Sequence, residues 1–282
     1  YPFVFKYSQI WRLVPTGDVD APNIPRAIGK GTQVGSVSHK SIVMGEDEAG
    51  RAAIYFWSEQ GCYRIGANGL QYCGRDNEDI SVNLGATNTV VFGVYYRAKH
   101  QVWYWVATGS SNDPDTVLIF DTRRGRTEEH GEVRGGWSKF TGDLAAARCA
   151  AIFANTLGAS MSRDLKPYLG QTGGTRLYKA DTGTDDAGTT FQAYVDLPER
   201  HPAGLDRMHS FSNPYVLANA GSQSLTVTFT PDYGAMAARS DAESFAPAST
   251  ETRLRKRFDG LELGDVGSVQ IRVGDAAARR AL

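Results

Sequence analysis

The chain has 282 residues, enough for one large domain, or one with a smaller companion. With 30 basic against 31 acidic residues the formal net charge is −1, which removes the reason to expect a broad basic face for nucleic acid. Hydrophobic residues at 41% and charged residues at 22% are an ordinary globular balance; no apolar run reaches the ~20 residues of a membrane-spanning helix, and no charged-then-apolar leader pattern occurs.

In chain order the pattern is that of short strands and tight turns. Tyr1 opens the chain inside an expected strand over residues 1–7, as in a processed chain or a piece of one. A first unit follows: strands over residues 37–44, 52–57 (Ala52 to Trp57), 62–65 and 70–73, separated by an acidic turn at 45–50, a turn at 58–61 and the tight-turn pair Asn68-Gly69. Cys62 and Cys73 are able to face each other across the last hairpin. With Cys149 they make an odd number, too few for a disulfide framework, and free thiols are expected because a core of this size needs no staple. A second unit repeats the plan: strands at 89–96, 101–106 (Gln-Val-Trp-Tyr-Trp-Val) and 116–121, closed by 135–140. Residues 144–157, rich in alanine, are the best helical candidate of the chain, although 150–156 also reads as the first strand of a third unit. In that unit 173–180 is the middle strand and 189–195 its partner.

Four short antiparallel strands in under 40 residues is the size of one β-propeller blade, and a blade needs neighbours to cover its faces. About three such units are counted, fewer than the four or more that close an ordinary propeller. After Pro198 and Pro202 the texture changes; 215–218, 224–229, 252–258 and 268–273 read as strands of a small antiparallel sheet or sandwich, with 235–248 as a mobile loop. The expected architecture is all-β: propeller-like blades over residues 1–200, then a small β-sandwich-like domain over 201–282.

The chemistry-bearing residues are dispersed. No P-loop, nucleophile elbow or His-Glu-x-x-His pattern occurs. His39, His100, His130, His201 and His209 do not converge as a zinc site requires. Residues 181–188, with Asp181, Asp185 and Asp186, miss the calcium-loop spacing and read as a hairpin turn. Glu46-Asp47-Glu48 reads as a solvated turn rather than a glycosidase pair. Residues 170–174 are glycine-rich but open no clear helix for a phosphate. The aromatic strands read as packing between sheets rather than sugar platforms, and the basic run 253–257 as an exposed strand edge. No residue is assigned a catalytic, cofactor-binding or metal-binding role, and no enzyme activity is expected.

The succession Gly35-Ser36-Val37-Ser38, Ile54-Tyr55-Phe56-Trp57-Ser58 and Gly61-Cys62-Tyr63-Arg64-Ile65, followed by Trp103-Tyr104-Trp105, Ile119-Phe120-Asp121 and Gly136-Trp137-Ser138, resembles the propeller region of the tail nozzle, or tail tubular, proteins of short-tailed bacteriophages. Residues 225–229 with Asp232-Tyr233-Gly234 resemble the β-domain that accompanies that propeller. The resemblance implies a virion protein assembled in the host cytoplasm. Its partners would be copies of itself in a ring and other tail proteins such as adaptor, portal and fibre or spike, around a channel through which genomic DNA passes without specific binding. It implies no catalytic residues. A propeller that binds or cleaves glycans is the alternative from a different class, because fold alone does not exclude a site at the ring axis.

Overall fold

A computed structural model describes residues 2–17, 23–28, 33–80, 82–84, 91–127, 132–154, 165–171, 174 and 177–181, and beyond these the strand segments 194–196, 209–211, 215–218, 225–231, 241–245, 254–257, 263–266 and 269–274. The protein is all-β, with several antiparallel sheets and no α-helix among the described residues. The chain divides into two compact units, Tyr1–Thr182 and Gly183–Leu282.

Among the described residues the first unit contains four successive sheets of three or four strands and one two-stranded ribbon. The first is β1 (Phe3–Phe5), β2 (Ile10–Pro15) and β3 (Asn23–Ile28). The second runs β4 (Val43–Glu46), β5 (Ala52–Ser58), β6 (Gly61–Gly66) and β7 (Gly69–Tyr72), each strand pairing with the next. The third holds β8 (Phe92–Tyr96), β9 (Gln101–Val106) and β10 (Thr116–Asp121); after a short ribbon of β11 (Arg126–Thr127) and β12 (Val133–Arg134), β13 (Trp137–Thr141) returns to pair with β10. The fourth is β14 (Ala147–Ala154), β15 (Leu165–Gln171) and β16 (Leu177–Lys179).

The period of two explains how these sheets stack. In β5, Ala53, Tyr55 and Trp57 face the third sheet, where they meet Val102, Tyr104, Val106, Leu118 and Phe120. The alternate residue Phe56 faces the first sheet and packs with Ile10, Tyr63 and Ile65. In β9, Trp103 and Trp105 point away from the second sheet and form the third core with Phe92, Ile119, Ala147 and Leu169. The Asn68-Gly69 turn forms as expected, with Gly69 at φ 87°, a conformation that only glycine adopts without strain. Gly93 has a different task. It lies opposite Tyr104 in the β8–β9 ladder, and a Cβ there would stand 2.7 Å from the Tyr104 ring.

Several expected elements differ. Residues 37–44 are not one strand: Ser38 accepts the Lys40 N–H on its side chain and starts a 3-10 turn over His39–Ser41, so the strand begins only at Val43. The helical candidate at 144–157 contains strand β14, whose apolar side chains pair along β15. β15 is the true centre of the fourth sheet and had no counterpart in the sequence reading, because Pro167 argues against a central strand. Its neighbour β16, expected as the middle strand, lies at the edge.

In the second unit β17 (Tyr194–Asp196), β18 (His209–Phe211), β19 (Tyr215–Ala218), β20 (Leu225–Pro231), β21 (Asp241–Phe245), β22 (Leu254–Arg257), β23 (Leu263–Val266) and β24 (Val269–Gly274) are described. One sheet has the order β17-β24-β20-β21; β18 pairs with β23 and β19 with β22. Val227 and Phe229, two residues apart on β20, are buried on one face. The expected mobile loop at 235–248 contains β21, paired with β20 along its length. Tyr194 and Val195, expected to close the third blade, pair with β24 instead, so this strand, which the sequence placed before the boundary at 200, belongs to the second unit.

Gly93→Ala is expected to lower the unfolding free energy by about 1–3 kcal/mol, the usual range for overpacking, as read from urea denaturation.

Candidate functional site

The acidic turn is not merely solvated. Asp47 is buried; its Oδ1 accepts the N–H groups of Ala49 (3.0 Å) and Arg51 (2.8 Å), and its Oδ2 accepts Arg51 Nε at 2.8 Å. Glu48 receives both terminal nitrogens of Arg64, one at 3.0 Å, while Arg64 Nε donates to Gln71 Oε1 at 2.8 Å. Arg64 lies in the interior of the unit with a side-chain exposure of 1%. Burial pulls its pKa down, but the bond to Glu48 together with the charges of Cys73, Tyr55 and Glu48 makes the net direction up. Glu46 faces Arg97 at 3.4 Å and His100 Nδ1 at 3.5 Å. Each of the three carboxylates therefore has its own cationic or imidazole partner.

Asp181 also serves the fold. It sits at φ 57° and accepts the Tyr96 hydroxyl (2.9 Å) and Lys99 Nζ (2.7 Å) on its carboxylate, while its carbonyl accepts Lys166 Nζ at 2.7 Å. It thus clasps the third sheet to the fourth. The rest of the expected loop, with Asp185 and Asp186, lies outside the described residues, as do His130 and His201. His39 lies in its 3-10 turn, His100 ends another in the left-handed conformation, and His209 begins β18. Among the described residues no group of three or more His, Cys, Asp or Glu is placed to hold a metal ion. Gly170 and Gln171 belong to β15, not to a helix N-terminus. In the basic run, Arg255 and Arg257 stand opposite Leu217 and Tyr215 in the β19–β22 pair.

Trp57, Trp103, Trp105 and Trp137 are spent on packing. Trp57, Trp103 and Trp105 are buried, and Trp137 donates its indole N–H to the Cys73 carbonyl (2.8 Å) while its ring lies 5.0 Å from that of Phe120. A cavity of about 180 Å³ is lined by Trp57, Glu59, Gln60, Tyr72, Asn77 and Glu78. Its carboxylates are engaged, Glu59 by the Tyr7 hydroxyl and Glu78 by Arg75 at 3.0 Å.

Cys62 and Cys73 are buried free thiols on neighbouring strands, tied by the Cys73 N–H donating to the Cys62 carbonyl at 2.9 Å; Cys149 is free and exposed. Burial first, then the neighbouring Cys73, pushes the Cys62 thiol up, so it is held in its unreactive form.

Among the described residues of the first unit, one sheet face is apolar and exposed. On the fourth sheet the inner side chains, such as Leu169 and Ile152, join the third core. The opposite face carries Phe153, Tyr168 and Leu177, with Phe153 and Leu177 exposed at 55% and 67% and the Phe153 and Tyr168 rings 5.7 Å apart. At the other end of the unit, Val4 on the first sheet is 42% exposed and stands opposite Trp11. Exposed apolar faces of this kind favour contact with other surfaces; this one is not legible in the sequence because β15, with Pro167 inside it, does not read as a central strand. No family model matches the sequence, and neither does any curated protein. No helix among the described residues is long and apolar enough to cross a membrane.

Two predictions follow from the buried polar groups. Glu48→Ala strands the Arg64 charge and is expected to cost about 2–4 kcal/mol in urea denaturation, whereas the double change Glu48→Leu with Arg64→Met recovers most of the loss. Stability is also expected to fall in alkali. The unfolded chain releases the Cys62 proton near 9.0 and those of Tyr55 and Tyr104 near 10.0, while burial raises all three in the fold. Above pH 9.0 the unfolded state therefore binds fewer protons, and the stability that is fully present below that value is lost as pH rises. The urea midpoint measured between about pH 7 and 11 checks this.

Proposed function

We propose that the chain is a structural component of a bacteriophage tail, part of a nozzle or tail tube, acting through subunit assembly around the channel that DNA leaves by. In this reading the sheets of the first unit are β-propeller blades and the second unit is the accompanying β-sandwich-like domain. The observation that carries it is the series of antiparallel sheets in the first unit, stacked face to face in chain order. Such a series is suited to construction: aromatic residues fill cores, and carboxylates fasten turns and neighbouring sheets. The near-neutral charge suits a wall that DNA must slide past without holding. Partners are further copies of the chain and the adjoining tail proteins, and the location is the virion.

Reconstruction of purified virions by electron cryo-microscopy, with mass spectrometry of isolated tails, tests the proposal. The expected result is this chain in a ring of copies in the tail below the portal. Virions whose tails lack it would overturn the reading.

A further inference from the structure

We infer that Cys62 and Cys73 are a site of reversible oxidation: a low-molecular-weight disulfide such as oxidised glutathione joins them in a disulfide that staples β6 to the end of β7, and β7 admits the reagent by lifting from the sheet edge. This does not rest on the tail reading above.

The register brings the two thiols together. β6 and β7 pair Tyr63 with Tyr72. The next residues outward, Cys62 and Cys73, therefore stand opposite each other, and the Cys73 N–H donates to the Cys62 carbonyl at 2.9 Å. Opposite residues of an antiparallel pair share a face. Both side chains belong to the core between the second and third sheets and have no solvent exposure. The α-carbons of a hydrogen-bonded pair lie about 5.5 Å apart, inside the roughly 4.4–6.8 Å that a disulfide spans. Each sulfur meets a carbonyl of its own strand at 3.9 Å, Cys62 Sγ that of Tyr63 and Cys73 Sγ that of Gln71. These are weak bonds that a disulfide replaces at little cost. Cys149 takes no part, being exposed on β14 of the fourth sheet.

Access is through β7. It has four residues and forms the edge of the second sheet. Beyond its end, Trp137 donates its indole N–H to the Cys73 carbonyl at 2.8 Å and so holds the strand down. In the closed fold, burial keeps the Cys62 thiol protonated and no oxidant reaches either sulfur. Lifting of residues 69–73 wets both. The thiolate of one cysteine then attacks the S–S bond of oxidised glutathione, which forms a mixed disulfide and expels one glutathione thiolate. The thiolate of the other cysteine attacks the mixed disulfide and expels the second. One S–S bond breaks in glutathione and one forms in the protein; the two protein thiols are oxidised, and their protons leave with two molecules of reduced glutathione. The staple closes the loop over residues 63–72 and prevents β7 from lifting again.

Treatment of the full chain with oxidised glutathione, alkylation in denaturant and tryptic mapping test this. Cys149→Ser, a change at an exposed position, confines the chemistry to the pair. The expected product is peptide 52–64 joined to peptide 65–75, because Arg51, Arg64 and Arg75 set the cleavage points, and dithiothreitol separates the two. Amide hydrogen exchange over residues 69–72 is expected to slow roughly 10- to 100-fold on oxidation. Trp137→Phe keeps an aromatic ring but loses the N–H, and is expected to speed oxidation about fivefold, as the loss of one hydrogen bond would. Cys62 and Cys73 that both remain open to alkylation after treatment overturn the inference. So does glutathione that stays on one of them without resolving, which would mean that the sulfurs do not meet. An oxidation rate untouched by Trp137→Phe overturns the route through β7. The peptide map needs no substitution in the core, so the result does not hang on the folding of a variant.

Discussion

A sheet with apolar residues on both faces cannot remain alone in water, and most of the first unit depends on that constraint. β5 and β9 each carry large side chains on successive residues, so neither has a face to give to solvent. Covering one face with a neighbour leaves the neighbour with the same problem. The stack is the outcome, and its aromatic content follows: Trp57 against Tyr104 and Tyr55 against Phe120 supply broad, rigid contact across the gap between the second and third sheets. Gly93 belongs to the same arrangement, since the Tyr104 ring takes the space that its side chain would have filled.

Charged residues are used as fasteners within this apolar frame. Arg64 lies on a buried face of the second sheet, where the paired oxygens of Glu48 and the amide of Gln71 help to make that position tolerable. Asp47 holds its own turn closed. Asp181 joins Tyr96, Lys99 and Lys166 at the margin of the third and fourth sheets. Among the described residues, Glu46, Asp47, Glu48 and Asp181 are each engaged by a cationic side chain.

The sequence made the strands at 52–57, 62–65, 101–106 and 116–121 legible because alternation, aromatic content and the Asn68-Gly69 turn agreed with one another. It misled where a local signal opposed the tertiary arrangement. Ser38 bends the backbone into a 3-10 turn inside a run that looks extended. The alanines of β14 suggest a helix until packing against Trp105 and pairing with β15 decide otherwise. Pro167 sits in a central strand, where its missing N–H is least welcome. The exposed face depended on that strand and was invisible with it. The ties of Glu48 and Asp181 were equally out of reach, since their partners lie 16 and 85 residues away along the chain.

Stacking in chain order has a consequence for synthesis. Each core is completed by the sheet that follows next in the sequence, so contacts of long range in space remain modest in sequence separation. A chain leaving the ribosome can finish one layer before the next has emerged. At every stage the newest layer presents its bare face only until the next sheet covers it, so the nascent molecule never exposes all of its apolar sheet faces together.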